Sequence, residues 1–273
     1  MMVRLLRWEL RLGIRPLAVT LGWLGAFALA SLVPVLLHVP VLGDLGRATA
    51  FASVFLLVPA WLLVLAWRYW TSMYGREGYF TMSLPVRGRL LFAAKTLFAA
   101  VVGLLGGGIT VVAGLGVFAA TTWAQGGSVA AALHTLRESL TGVPALLWIG
   151  VLGAVLSLLV LVVDVAAVMS IGARGRWNHL GIGAPLIGLV LLYVATEIVN
   201  LVAMLWIPIG VTIGGAKPGR LVAQGMWPGF LDAVRSGGQP EVLGLGSLVA
   251  GVAMAVALTW WAVRSIERHT SLR

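Results

Sequence analysis

Residues 143–176 read VPALLWIGVLGAVLSLLVLVVDVAAVMSIGARGR, and this stretch decides the fold class. From Val143 to Ala173 the run is apolar, broken only by Asp164, and it ends on Arg174 and Arg176. A helix needs about 20 apolar residues to span the hydrocarbon of a bilayer. This run is longer than that, and it is not alone. Of the 273 residues, 60% are hydrophobic and 10% charged, with a mean hydropathy of +1.01. A soluble domain carries charge on about a quarter of its residues. This chain cannot cover a water-facing surface, so it is an all-α integral membrane protein.

Apolar stretches holding at most one Asp, Glu, Lys or Arg each give six predicted crossings, over 17–37, 48–70, 91–122, 144–172, 180–210 and 242–264. An even number puts both termini on one side. With the termini inside, fourteen of the 19 Lys and Arg fall in inner segments and five in outer ones. That asymmetry is the positive-inside signal and predicts cytoplasmic termini in a cell membrane. Every loop is short, so a single transmembrane domain is expected over 1–273.

Two segments are neither crossings nor simple loops. At 100° per residue, Arg4, Arg7, Arg11 and Arg15 fall within about 80° of one another. Residues 1–16 therefore read as an interfacial helix with its arginines toward lipid phosphates or a partner, ended by Pro16. The alternative is a plain positive flank. Residues 218–236 include RLVAQGMWPGFLDAV (220–234), which is too apolar for a solvated loop and too short to span. A re-entrant pair of short outer helices, broken at Trp227, Pro228 and Gly229, fits. So does an interfacial loop anchored by Trp227.

Nothing in the chain reads as catalytic. There are no cysteines, and His38, His134, His179 and His269 lie in four separate loops or tails with no HExxH pairing. No GxxxxGK[ST] and no GxSxG occurs, so neither a P-loop nor a nucleophile elbow is available. GLLGGGITVVAGLG (103–116) lies within a crossing, where glycines mean close helix packing. The net charge of +10 could suggest nucleic acid, but the basic residues flank apolar runs instead of forming a stripe. No enzymatic activity, metal, cofactor or nucleic acid is expected of this chain.

Two acids lie within predicted crossings. Asp164 is ten residues before Arg174, about 15 Å deep. Glu197 is near the middle of its crossing, with Asn200 one turn later on the same face. An ionised acid at the bilayer centre costs about 2.5–3.5 kcal/mol on insertion scales. These residues mark a polar spot on a translocation path or subunit interface, or else a hydrogen bond between helices.

The longest inner loop holds YGREGYFTMSLPVRGR (74–89). A short helix is expected over about 76–84, stopped before Pro85. Tyr79 and Phe80 are bulky, and Glu77 lies near the helix N-terminus, where a carboxylate is favoured. Aromatics ringed by charges make a docking surface, or a turn seated in the headgroup belt.

EGYFTMSLPVRGRLLFAAK (77–95) resembles the segment E-G-Y-L-T-L-x-L-P-V, followed by basic residues and a Lys, of ABC-2 type permease subunits of ATP-binding-cassette exporters. The layout of six crossings, amphipathic N-terminal helix and re-entrant segment before the sixth is similar as well. In that family the motif is a coupling helix docked on an ATPase subunit. The resemblance implies a coupling helix over 76–85, with Arg76, Glu77, Gly78, Tyr79, Phe80, Leu84 and Pro85 toward the ATPase. It implies a second permease, the same chain or a sister, completing the translocation path, with ATP and Mg held by the partner ATPase. Phe80 and Met82 stand where aliphatic residues are commoner. Two other readings are a membrane scaffold or sensor that transports nothing, and a secondary transporter working alone. The lack of an ionisable relay and of internal repeats argues against the last.

Overall fold

The computed structural model of the protein describes residues 2–75, 77–83, 86–142, 144–214 and 218–268. Among the described residues, six helical segments are long and apolar enough to cross a membrane. The protein is thus a multi-pass helical membrane protein. It divides into two compact units, Met1–Glu138 and Ser139–Arg273. The reason lies in the cores, because each half buries its apolar faces on its own helices.

The first unit opens with α1 (Met2–Leu36), a continuous helix of 35 residues. At 1.5 Å per residue it is roughly 50 Å long, well beyond the ~30 Å hydrocarbon layer. Pro16 does not end it, contrary to the separate 1–16 segment expected. A proline inside a helix removes one hydrogen bond and costs ~3 kcal/mol. Packing on either side carries the helix through that defect. Gly13 and Leu17 are both buried, and the Leu17 carbonyl accepts the indole N–H of Trp61 at 3.1 Å.

A turn through His38 and Val41, both at positive φ, leads into α2 (Leu42–Phe55). The His38 ring meets the Ala124 carbonyl at 2.5 Å and pins this turn. Helix α2 begins six residues before the crossing expected at 48. Asp44 and Arg47 cut the apolar run, yet they sit on the first turns and pair with each other at 3.3 Å. After a one-residue break at Leu56, α3 (Leu57–Met73) continues the same crossing. Pro59 explains the break: it has no N–H to give the carbonyl of Phe55. Then come α4 (Gly78–Ser83), a single short helix, and α5 (Gly88–Ala124), which runs 37 residues.

Two apolar clusters hold these elements. Leu32, Ala50, Val54 and Val117 join α1, α2 and α5, and Leu17, Trp61, Leu65, Phe98 and Val102 join α1, α3 and α5. Gly46 lies so close to the Ser31 carbonyl of α1 that a Cβ there would overlap it. Helix α6 (Val129–Thr141) follows with no buried residue.

The second unit packs α7 (Pro144–Gly172), α8 (Gly183–Trp206) and α10 (Gly246–Arg268), with a 3-10 turn over Gly175–Leu180. Between α8 and α10 the chain forms β1 (Gly210–Thr212), β2 (Leu221–Val222), α9 (Trp227–Ser236) and β3 (Val242–Gly244). The strands pair antiparallel in the order β2-β1-β3, with Gly210 opposite both Val222 and Gly244. The two short helices expected over 218–236 are therefore one helix preceded by a strand. Trp227, Pro228 and Gly229 start α9 instead of breaking it, because a proline in the first turn has no hydrogen bond to lose. Trp227 stacks on Trp206 at 5.0 Å between centroids, which ties α9 to the end of α8.

A candidate docking site around helix α4

Helix α4 is built by local bonds. The Thr81 amide donates to the Glu77 carbonyl at 3.1 Å, and the Ser83 hydroxyl to the Phe80 carbonyl at 2.8 Å. Gly78 is buried and Glu77 is exposed. Tyr79 and Phe80 are 55% and 60% exposed, although both are aromatic. Phe80 meets Trp8 of α1 at 6.4 Å between ring centroids. Helix α4 also packs against α3.

Beneath α4 lies a groove of about 390 Å³ between α1, α3 and α5. Its floor is polar. Lys95 Nζ donates to Glu9 Oε1 at 2.5 Å and to the Ser72 hydroxyl at 2.8 Å. The Lys95 and Glu9 side chains are 7% and 14% exposed. Ser72 in turn donates to the Arg68 carbonyl at 2.6 Å. A buried ammonium with a carboxylate and a hydroxyl is a firm three-way joint, since taking away one partner leaves a charge in low dielectric. It links the first turns of α1, the last turns of α3 and the start of α5, while α4 packs on α3 and meets α1 through Phe80 and Trp8.

Of the predicted contact residues, Glu77, Gly78, Tyr79 and Phe80 come together here. Arg76, Leu84 and Pro85 lie outside the described residues. Glu9 and Ser72 are the partners that sequence reasoning missed. A signal existed for one of them: on the α1 wheel Glu9 falls about 160° from the middle of the arginine arc. Arg4, Arg7, Arg11 and Arg15 are all exposed, while Leu5, Leu6 and Glu9 on the other side are half-buried.

The intramembrane acids have different settings. Asp164 of α7 is 2% exposed, and its Oδ1 has no hydrogen-bond partner among the described residues. Glu197 of α8 is exposed, with Tyr193, Val194, Ile198 and Leu201 exposed around it. Asn200 is half-buried and its Oδ1 lacks a partner among the described residues. No ion pair joins the two acids to any described cation. Among the described residues no three His, Asp or Glu side chains cluster closely enough to hold a metal.

Fold and site together define a multi-pass helical membrane protein with a small aromatic helix seated on a charged joint between its crossings. Comparison with protein-family models, with characterised proteins and with solved structures finds no match to this chain.

Proposed function

We propose that the protein is the permease subunit of an ABC-2 type exporter in the cell membrane, driven by a separate ATPase and paired with a second permease. The observation that carries this reading is α4, which exposes Tyr79 and Phe80 and whose Phe80 lines the groove holding the Glu9–Lys95–Ser72 joint. A surface aromatic pair is a usual hot spot for a protein partner. The joint behind it would pass the partner's motion to α1, α3 and α5 as a rigid-body shift. In this reading α4 faces the cytoplasm, as do both termini, and the arginine face of α1 lies on the inner leaflet. The β1–α9–β3 segment dips into the outer leaflet. ATP and Mg belong to the partner, and the permease performs no chemistry.

Pairing with a second permease is supported by Glu197. A carboxylate facing acyl chains costs about 2.5–3.5 kcal/mol, so an exposed acid on a spanning helix asks for a protein or water-lined neighbour. The Glu197–Asn200 face of α8 is where that neighbour would sit.

The first check is whether a neighbouring reading frame encodes a chain with Walker motifs. Its absence would count heavily against an exporter. The direct test co-expresses that chain with the Y79A/F80A double variant and measures co-purification and transport-coupled ATP hydrolysis. Loss of two hot-spot aromatics should weaken association roughly 10- to 30-fold and uncouple hydrolysis. Wild-type assembly and coupling would refute the docking role.

A further inference from the structure

A second groove, unrelated to α4, lies within the Ser139–Arg273 unit between α7, α8 and α10. It has a volume of about 660 Å³ and is walled by Val168, Ile187, Leu191, Met254 and Leu258. Ile187 and Leu191 are 54% and 64% exposed, so the groove is open along α8. All three helices are long and apolar enough to cross a membrane, so the opening faces hydrocarbon. One end of this otherwise apolar slot carries a charge, Arg174.

Arg174 is held in a defined pose. Its Nε donates to the Ser265 hydroxyl at 2.9 Å, and its guanidinium lies over the Trp261 ring at 5.4 Å. Ser265 is fully buried, and its hydroxyl donates a hydrogen bond to the Ser170 carbonyl at 3.3 Å. No described carboxylate pairs with Arg174. The anchored Nε leaves the terminal Nη fork for an anion, and that fork matches a phosphate. The position suits a headgroup: Arg174 follows directly on the last turn of α7, at the end of a spanning helix.

We infer that this groove holds an acyl chain of an anionic phospholipid, with its phosphate on the guanidinium of Arg174. A long apolar slot open to the bilayer takes a lipid tail because any other filling leaves a void. Basic pockets between spanning helices select acidic headgroups. The groove does not compete with the acid face of α8. At 100° per residue, Ala184, Ile187, Gly188, Leu191 and Ala195 share an arc of about 100° whose centre lies about 130° from Glu197. Lipid on one side of α8 and a partner on the other are compatible.

The test reconstitutes the purified protein in nanodiscs of equal phosphatidylglycerol and phosphatidylcholine and counts retained lipids by native mass spectrometry. The wild type should enrich phosphatidylglycerol roughly fivefold, the value of one basic residue near an anionic surface. R174Q should lose the enrichment while still retaining lipid. L191W, on an exposed lining position, should expel the bound lipid of either headgroup without lowering the melting temperature. It keeps the test valid if R174Q disturbs Ser265. Equal retention of both lipids by the wild type, enrichment that survives both variants, or a lipid-free dimer with the groove closed by a second copy would overturn the assignment.

Discussion

Replacing Glu9 with Leu should destabilise the first unit. The variant leaves the Lys95 ammonium 7% exposed with only the Ser72 hydroxyl as partner. Removing one member of a buried ion pair costs about 3–5 kcal/mol, because the remaining charge is neither hydrated nor neutralised. Glu9 keeps 14% exposure and Ser72 still accepts one proton, so the lower end, about 3 kcal/mol, is expected. At 2–4 °C per kcal/mol for a chain of this size, the melting temperature should fall by about 6–12 °C. The 12 tryptophans give the signal, by intrinsic fluorescence on heating in detergent. The E9L/K95M double variant removes both charges of the joint from a groove whose walls include Leu5, Leu12 and Leu91, and should recover most of the loss. A melting point for E9L within 1 °C of the wild type, or a double variant that falls by the sum of the single effects, would refute the joint.

Two further outcomes follow from the packing and the charge pattern. G46A places a methyl group against the Ser31 carbonyl of α1. Overpacking of that kind costs about 1–3 kcal/mol, so a drop of several degrees is expected in the same fluorescence assay, and an unchanged value would contradict the close α1–α2 approach. The chain has no cysteine, so single cysteines report sidedness cleanly. In intact cells a membrane-impermeant maleimide should label S128C, next to α6, and leave S83C, at the end of α4, unlabelled until the membrane is opened. The reverse pattern would overturn the orientation taken from the basic residues.

Crossings were legible because length and hydropathy decide them almost alone. The run ending at Arg174 gave α7 nearly to the residue. Errors came where proline was read by rule. Pro16 stays within α1 because buried neighbours outweigh one lost hydrogen bond, and Pro228 starts a helix instead of breaking one. Both depend on tertiary or positional context that a local rule does not carry. Tyr79 and Phe80 were legible as exposed aromatics in a charged loop. Glu9 and Lys95 were not, since 86 residues separate them and each looked like one more charge flanking an apolar run.

The two intramembrane acids show what the structure adds to a sequence reading. Composition treats Asp164 and Glu197 alike: one acid, one apolar helix, one desolvation cost. Burial separates them. Asp164 is 2% exposed, and its Oδ1 has no hydrogen-bond partner among the described residues. Glu197 stands exposed on a helix whose neighbouring side chains are Tyr193, Val194, Ile198 and Leu201. In a lone chain that position places a carboxylate against hydrocarbon, with Asn200 Oδ1 also unpartnered one turn away. Two polar groups on one apolar face cost more than either alone, and neither cost is relieved by any described cation. On the proposed reading, a second permease or a water-lined path against this face removes the penalty, whereas further lipid does not.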